Sequence, residues 1–361
     1  MLIFRYLSRE ILATVVATAV ILLVIFISNE FVHYLNTAAE GQITPTAVFK
    51  LMSIQVPLLM GFLLPLSYFL GVLLVVGRLC ADHELIAMYS CGFSRGQLLR
   101  IVIFLGFVVT IVVAWLMLSI EPKMQLQRAR IIANAAESAT LEKILPGRFQ
   151  QLINNQTETF YARQVSDDHK QMLDVLFANS QKSVEHPGQQ EWDIVSARSA
   201  NEVMHKDNGQ FLVFNNGYRY IGVPGQLDYR KIHFGKYEVR VVAPDVFPDR
   251  RIETLATSVL WAGQHSNLNM AGELQWRLAL PISVIILALL AFPLSEVNPR
   301  SGKFARFLPA ILIYIVYANL MIMARAWLVK GVIPPSFGIW WVHGIFLSLA
   351  LAMLFFQAIK R

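Results

Sequence analysis

The chain has 361 residues, 55% of them hydrophobic and 15% charged. Soluble domains run about 45–50% apolar and about 25% charged, so this composition excludes a soluble enzyme, a disordered chain and a disulfide scaffold. The net charge of +7 suggests nucleic acid until the chain is divided: residues 121–273 carry 17 Lys/Arg and 18 Asp/Glu, and the flanking blocks carry 14 and 6. The basic excess therefore belongs to the apolar part, where it sets orientation.

A membrane helix needs about 20 mostly apolar residues. Such runs occur at Ile11–Asn29, Leu51–Gly77, Ile101–Ile120, Leu278–Ser295, Phe307–Ala324 and Gly331–Ile359. They predict an α-helical polytopic membrane protein with six transmembrane helices, three on each side of a polar insert. Pro57 and Pro65 should kink the second helix or mark its ends. Pro334 and Pro335 should mark the start of the sixth. The first run is too long for a signal core, and Ser28-Asn29-Glu30-Phe31 is a poor cleavage site, so it reads as an uncleaved helix.

The short loops are asymmetric. Arg5, Arg9, Arg78, Arg95, Arg100, Arg300, Lys303, Arg306, Lys360 and Arg361 lie on one side, against Lys50, Arg325 and Lys330 on the other. The positive side is cytoplasmic, which predicts both termini and the 78–100 loop inside and the 121–273 insert outside.

Between the first and second spans nothing distinctive stands out, but the 78–100 loop is informative. Asp82 is placed to cap a short helix, Gly92 to end it and Ser94 to cap the next. Leu85, Met88 and Tyr89 share one face at i, i+3 and i+4, and Asp82 and Glu84 suit the helix dipole. An interfacial helix on lipid is the bland alternative. Surface helices are usually rich in Lys/Arg, however, and an acidic start with an apolar stripe suits a protein groove better.

Glu121 to Leu145 continues the third helix beyond the membrane and ends at Pro146-Gly147. The pattern then changes. Tyr237, Val239 and Val241 alternate with Glu238 and Arg240, and turn pairs recur at Pro187-Gly188, Asn208-Gly209, Asn216-Gly217 and Pro224-Gly225. This spacing predicts hairpins and an inserted all-β, jelly-roll-like domain. The three parts are therefore 1–120, with a loop helix at about 81–91, then 121–273, then 274–361.

Enzyme motifs fail. His83-Glu84 lacks the second histidine of HExxH, since Ala87 stands there. Gly302-Lys303 lacks the Walker glycine, since Val297 stands at its place, and Phe304 replaces the Ser/Thr. Cys80 and Cys91 have no CxxC spacing. No catalytic, metal or cofactor residue is predicted.

The strings Phe4-Arg5-Tyr6-Leu7-x-Arg9-Glu10, Leu64-Pro65-Leu66-Ser67, Glu84-Leu85-x-Ala87-Met88, Ser90-Cys91-Gly92-Phe93-Ser94 and Pro293-Leu294-Ser295-x-Val297-Asn298-Pro299-Arg300, with the 3+3 architecture, resemble the LptF/LptG permeases of the lipopolysaccharide export ABC transporter. The last string is similar to the LptF branch. The resemblance covers nearly the whole apolar part.

It implies a bacterial inner-membrane permease that pairs with an LptG-like permease over an LptB-like ATPase dimer, which hydrolyses the ATP. It implies extraction of lipopolysaccharide and its passage through periplasmic jelly rolls to LptC-like and LptA-like proteins. The loop helix, with Asp82, Glu84, Leu85, Met88, Tyr89 and Gly92, would couple to the ATPase. A lipid cavity would be lined by Phe26, Phe31, His33, Leu59, Phe62, Met321 and Arg325. Members of the family often carry basic residues near the outer end of the first helix, where this chain has Glu30 and His33. Arg325, at the outer end of the fifth helix, keeps a charge of the expected sign, placed either to hold a lipid phosphate or to snorkel to the interface. A lipoprotein-releasing type of permease, which usually has four spans, and a membrane receptor with an outer sensor domain stay as alternatives.

Overall fold

The computed structural model describes residues 2–39, 43, 45–142, 146–151, 158–166, 171–182, 190–205, 209–226, 229–241, 251–295 and 307–359. Pro187-Gly188, Asn208, Val297-Asn298-Pro299-Arg300, Gly302-Lys303, Phe304, Arg306, Lys360 and Arg361 lie outside the described residues. The chain divides into two compact units, residues 1–32, 50–128 and 249–361 in one, and 33–49 and 129–248 in the other.

Among the described residues, six helices are long and apolar enough to cross a membrane. They contain α1 (Leu2–Ala39), α2 (Pro45–Ala81), α4 (Arg95–Trp115), α7 (Leu268–Ser295), α8 (Phe307–Val329) and α9 (Trp340–Ile359). The short α3 (Glu84–Ser90) links α2 to α4, and α6 (Thr257–Gly263) precedes α7. Neither Pro57 nor Pro65 ends α2, because both sit inside one continuous helix. The last helix begins at Trp340 rather than Gly331. Gly331 adopts φ 73°, and Gln275 clamps the following turn, donating to the Pro335 carbonyl at 2.6 Å and accepting from the Ile339 N–H at 3.0 Å.

Within the helical unit α7 is central: 21 of its 28 residues are buried. It packs against α4, α6, α8 and α9. Helices in lipid gain little from burying apolar surface against one another and rely on close approach. Gly106 of α4 faces Ala288 of α7, where an added Cβ would meet the Ala288 Cβ at 3.3 Å. Gly71 of α2 similarly abuts the backbone of Val15 in α1. Below the span, α4 passes through a π-helical turn, Leu116–Ile120, into α5 (Glu121–Glu142), which fulfils the expected continuation.

Among its described residues the second unit holds an antiparallel sheet of six strands: β1 (Phe149–Gln151), β2 (Glu158–Val165), β3 (Gln171–Lys182), β4 (Gln190–His205), β5 (Gly209–Gly222) and β6 (Arg230–Val241). The strands pair in sequence order as a meander. The inserted β domain is therefore present, but the described strands lack the crossover pairing of a jelly roll. The core explains why one sheet suffices. Inward-facing residues step by three instead of two at one row: Ala162 and Val165, Met172 and Val175, Ala197 and Ala200, Phe214 and Gly217, Phe234 and Tyr237. Between them the register sets Arg163, Asp174, Arg198, Asn216 and Gly235 level across five strands. Asp174 and Asn216 there are left-handed, at φ 50° and 51°, a conformation these two residue types tolerate best. The sheet bends along this row, and side chains from both halves meet, as Phe177 and Phe214 do at 6.2 Å between ring centroids. Arg219 is chelated by Asp193 at 2.9 and 2.7 Å, which holds its guanidinium above its ordinary pKa.

Gly217 sits at the bend, where a Cβ would run into the Ser196 carbonyl oxygen and the Ala197 Cα. Backbone cannot yield as a side-chain tip can, so Gly217→Val should cost about 1–3 kcal/mol. Hydrogen exchange should show lost protection in β4 to β6 with α7 unchanged. Gly235→Ala, which meets nothing within 4 Å, should leave protection as it is.

Candidate functional site

Two places in the helical unit concentrate polar groups that an apolar chain rarely carries. The first is the loop helix α3. Its N-cap is His83, at φ 63° and without a side-chain capping bond, not Asp82 as expected. Asp82 lies one residue earlier, in the turn, exposed. The far end matches expectation. The Gly92 N–H donates to the Tyr89 carbonyl and the Phe93 N–H to the Met88 carbonyl, both at 3.1 Å, with Gly92 at φ 89°. This is the paired reverse bonding that a left-handed glycine permits. Ser94 and Gln97 then form a capping box on α4.

The apolar stripe of α3 faces inward. Leu85 is 2% exposed, and Met88 and Tyr89 pack against the helical core. The stripe expected to fill a partner's groove is consumed by this chain. The reason is local: a seven-residue helix held at both ends must bury its apolar face on whatever lies beside it. What remains outward is Asp82, His83, Ile86, Ala87 and Ser90, with Ile86 54% exposed. Glu84 accepts a hydrogen bond from the Tyr6 hydroxyl at 3.1 Å. Glu10 of α1 pairs with Arg78 at 2.8 Å. The start of α1 is thereby tied to α2 and α3.

The second place is a charge cluster at the opposite end of the spans. Arg277 is completely buried and Glu273 is 3% exposed. The Arg277 Nε donates to Glu273 at 2.9 Å. Its two terminal nitrogens donate to the Leu255 carbonyl at 3.0 Å, to Thr257 Oγ1 at 3.3 Å and to the Glu253 carbonyl at 2.8 Å. The second Glu273 oxygen accepts from Arg325 at 2.7 Å. Arg325 also lies over the Trp276 ring, 5.2 Å from its centroid, and Trp276 touches Phe62 at 5.9 Å. Glu121 completes the group, its carboxylate 4.0 Å from the Arg277 Nε. The Thr257 hydroxyl donates to the Leu118 carbonyl at 2.8 Å, inside the π turn whose altered bonding frees such carbonyls.

The residues proposed to line a lipid cavity are thus treated unequally. Phe62 and Arg325 meet through Trp276. Met321 is 3% exposed and packs into the core instead of lining an open wall. Leu59 is half-buried, while Phe26, Phe31 and His33 are exposed on α1; His33 contacts Tyr34. Arg325 is already paired with Glu273 and lies over the Trp276 ring, so a phosphate reaching it would share the guanidinium. Glu121, Glu273 and Arg277 escaped the sequence reading. The available signal was Glu273 and Arg277 four apart at the edge of the fourth apolar run, one helical turn on one face. Among the described residues no His, Cys, Asp or Glu group is arranged to hold a metal ion.

Breaking a buried ion pair costs about 3–5 kcal/mol, and loss of Arg277 leaves Glu273 with only the partly exposed Arg325 and strips the Leu255 and Glu253 carbonyls of their donor. Arg277→Met should therefore lower the thermal unfolding midpoint of the solubilised protein strongly. Arg325→Met should do so much less, because Arg325 is partly exposed and Glu273 keeps Arg277.

The model of the family "Lipopolysaccharide export system permease LptF/LptG" matches residues 5–355. The chain is 30% identical over 354 residues to the lipopolysaccharide export system permease protein LptF of Escherichia coli K12, covering 98% of this chain and 94% of that protein. The same identity and coverage hold for the LptF proteins of Escherichia coli O157:H7 and Shigella flexneri. The strings that carried the resemblance, the six apolar helices and the β domain inserted between the third and fourth agree with a match from end to end, and the chain belongs to the LptF/LptG family of lipopolysaccharide export permeases.

Proposed function

We propose that this permease works with an LptG-like second permease above an LptB-like ATPase dimer, and that α3 is the element through which ATP hydrolysis in that dimer moves the spans. One observation carries the reading. The helix is capped at its end by the Gly92 reversal, followed at once by the Ser94 capping box, and buried along Leu85. A short helix fixed this way transmits a push instead of absorbing it. Its tie to α1 through Tyr6–Glu84, beside the Arg78–Glu10 pair that joins α2 to α1, carries the push to the first span as well.

The charge asymmetry of the loops supports both termini and α3 in the cytoplasm and the β unit in the periplasm. Lipopolysaccharide leaves the outer leaflet between the two permeases and passes to LptC-like and LptA-like proteins. The outer strands of the described sheet, β1 and β6, suit strand addition by such β-rich partners. A lipid phosphate reaching Arg325 would have to compete with Glu273 for the guanidinium, which supports leaving most of the head-group contact to the partner permease.

With Leu85 turned inward, the exposure of Asp82, His83, Ile86 and Ala87 supports docking on the outward side of α3. Ile86→Asp should reduce co-purification of the ATPase about tenfold or more, while the unfolding midpoint stays unchanged; wild-type ATPase association would refute docking on this face. Glu84→Ala should uncouple ATP hydrolysis from lipopolysaccharide release or weaken assembly, with wild-type behaviour on both measures arguing against it. For orientation, a reporter active only in the periplasm should be active when fused at Gly209 and silent when fused at Gly302.

A further inference from the structure

A pocket of about 680 Å³ opens where the first residues of α1 meet the turn after α3 and the beginning of α4. Leu2, Ile3, Phe4, Phe93, Ile101 and Phe104 form its apolar walls, and Gln97 and Arg100 its polar rim. Phe4 and Phe104 face each other at 6.1 Å between ring centroids, yet remain 44% and 54% exposed. Arg100 is exposed and has no ion pair or hydrogen bond among the described residues. The Gln97 Oε1 is taken by the Ser94 N–H at 2.8 Å, so the Gln97 amide N–H groups are what it has left to offer a ligand.

From this rim an apolar stripe runs along α4. Phe104, Phe107, Val108, Ile111 and Trp115 are all exposed, and with Arg100 they recur at the spacing of one helix face. From Arg100 to Trp115 the rise is about 22 Å. The arrangement is a cation and amide donors at the end of a membrane span, a recess beneath them, and a continuous apolar track leading into the bilayer. A protein docking from the aqueous side would meet the polar rim but could not use the track. A lipid with an anionic head uses all three.

We infer that this pocket binds an anionic phospholipid of the leaflet in which the chain's N-terminus lies, with its phosphate on Arg100 and Gln97 and an acyl chain in the Phe4–Phe104 recess. The site rests on the proposed orientation only for naming that leaflet the cytoplasmic one, on the side away from lipopolysaccharide extraction. Because the pocket joins α1 to the turn that closes α3, an occupied site braces the same junction that the Tyr6–Glu84 bond spans. The bound lipid is structural to the coupling loop and is not cargo.

The test uses the full chain, assembled with the proteins it co-purifies with, in nanodiscs of phosphatidylethanolamine carrying a minor share of phosphatidylglycerol with a photoreactive acyl chain. Adducts should map to residues 2–4 and 101–104. Phosphatidylglycerol should outcompete phosphatidylethanolamine there about fivefold, the weight of one interfacial cation. Arg100→Gln should abolish that preference and Arg100→Lys should retain it, with assembly and unfolding midpoint unchanged for both. Adducts spread evenly along α4 and insensitive to Arg100 would show ordinary boundary lipid and overturn the site. A photoreactive amino acid at position 104 that captures a protein, or captures lipopolysaccharide, would overturn it as well. Lipopolysaccharide release is measured separately, so loss of the lipid preference and loss of the transport reading are distinct results.

Discussion

A fully buried arginine beside apolar helices constrains this protein more than any other single group. A charge taken out of water is costly unless its hydrogen-bonding capacity is met, and Arg277 has five donors to place. Glu273 takes one; three more reach two backbone carbonyls and a hydroxyl from the segment that leads into α7. That segment has to lie where it does because the arginine needs its carbonyls. The central position of α7 in turn means that α4, α6, α8 and α9 are arranged around a helix whose end is pinned. Thr257 extends the same network to the π turn at the end of α4. Three helices and a connecting strap are therefore referred to one guanidinium.

The opposite end of the helical unit is organised by backbone capping instead of charge burial. There the chain must reverse between α2 and α4 within a dozen residues, and it does so with two left-handed residues, His83 and Gly92, on either side of α3. The ties from α1 are exposed or half-exposed, between Tyr6 and Glu84 and between Glu10 and Arg78. Exposed pairs of this sort contribute little stability. Their value lies in fixing where α1 begins relative to α2 and α3, which the proposed coupling role requires. The helical unit thus has one end pinned by buried hydrogen bonds and one lightly tied end, a distribution that suits the proposed coupling through α3.

The β unit solves a different problem. A single sheet normally needs a second layer to cover its apolar face. Here the phase of inward-facing residues shifts at one row, and the sheet bends over its own core. The turn pairs and alternation announced hairpins; Pro224-Gly225 does turn, after β5, whereas Asn216-Gly217 lies inside the continuous β5 and marks the bend instead of a hairpin loop. The bend was not legible, because it depends on Asp174 and Asn216 taking left-handed conformations level with one another on strands that are far apart in sequence. Neither residue by itself signals more than a turn.

The amino-acid sequence alone determined the spans, the sign of the loop charges, the inserted β segment, the caps at Gly92 and Ser94 and, through local strings, the family. Each of these follows from composition or from residues a few positions apart, where hydropathy and backbone chemistry act directly. Tertiary structure decided which face of each element is used. Leu85, Met88 and Tyr89 read equally well as a docking stripe or as core, and only their neighbours across the fold turn them inward. Arg325 read as a free cation until Glu273, 52 residues away, was brought to 2.7 Å. Periodicity says that a face exists; what that face meets is settled by contacts between distant parts of the chain, and those contacts carry no local signature.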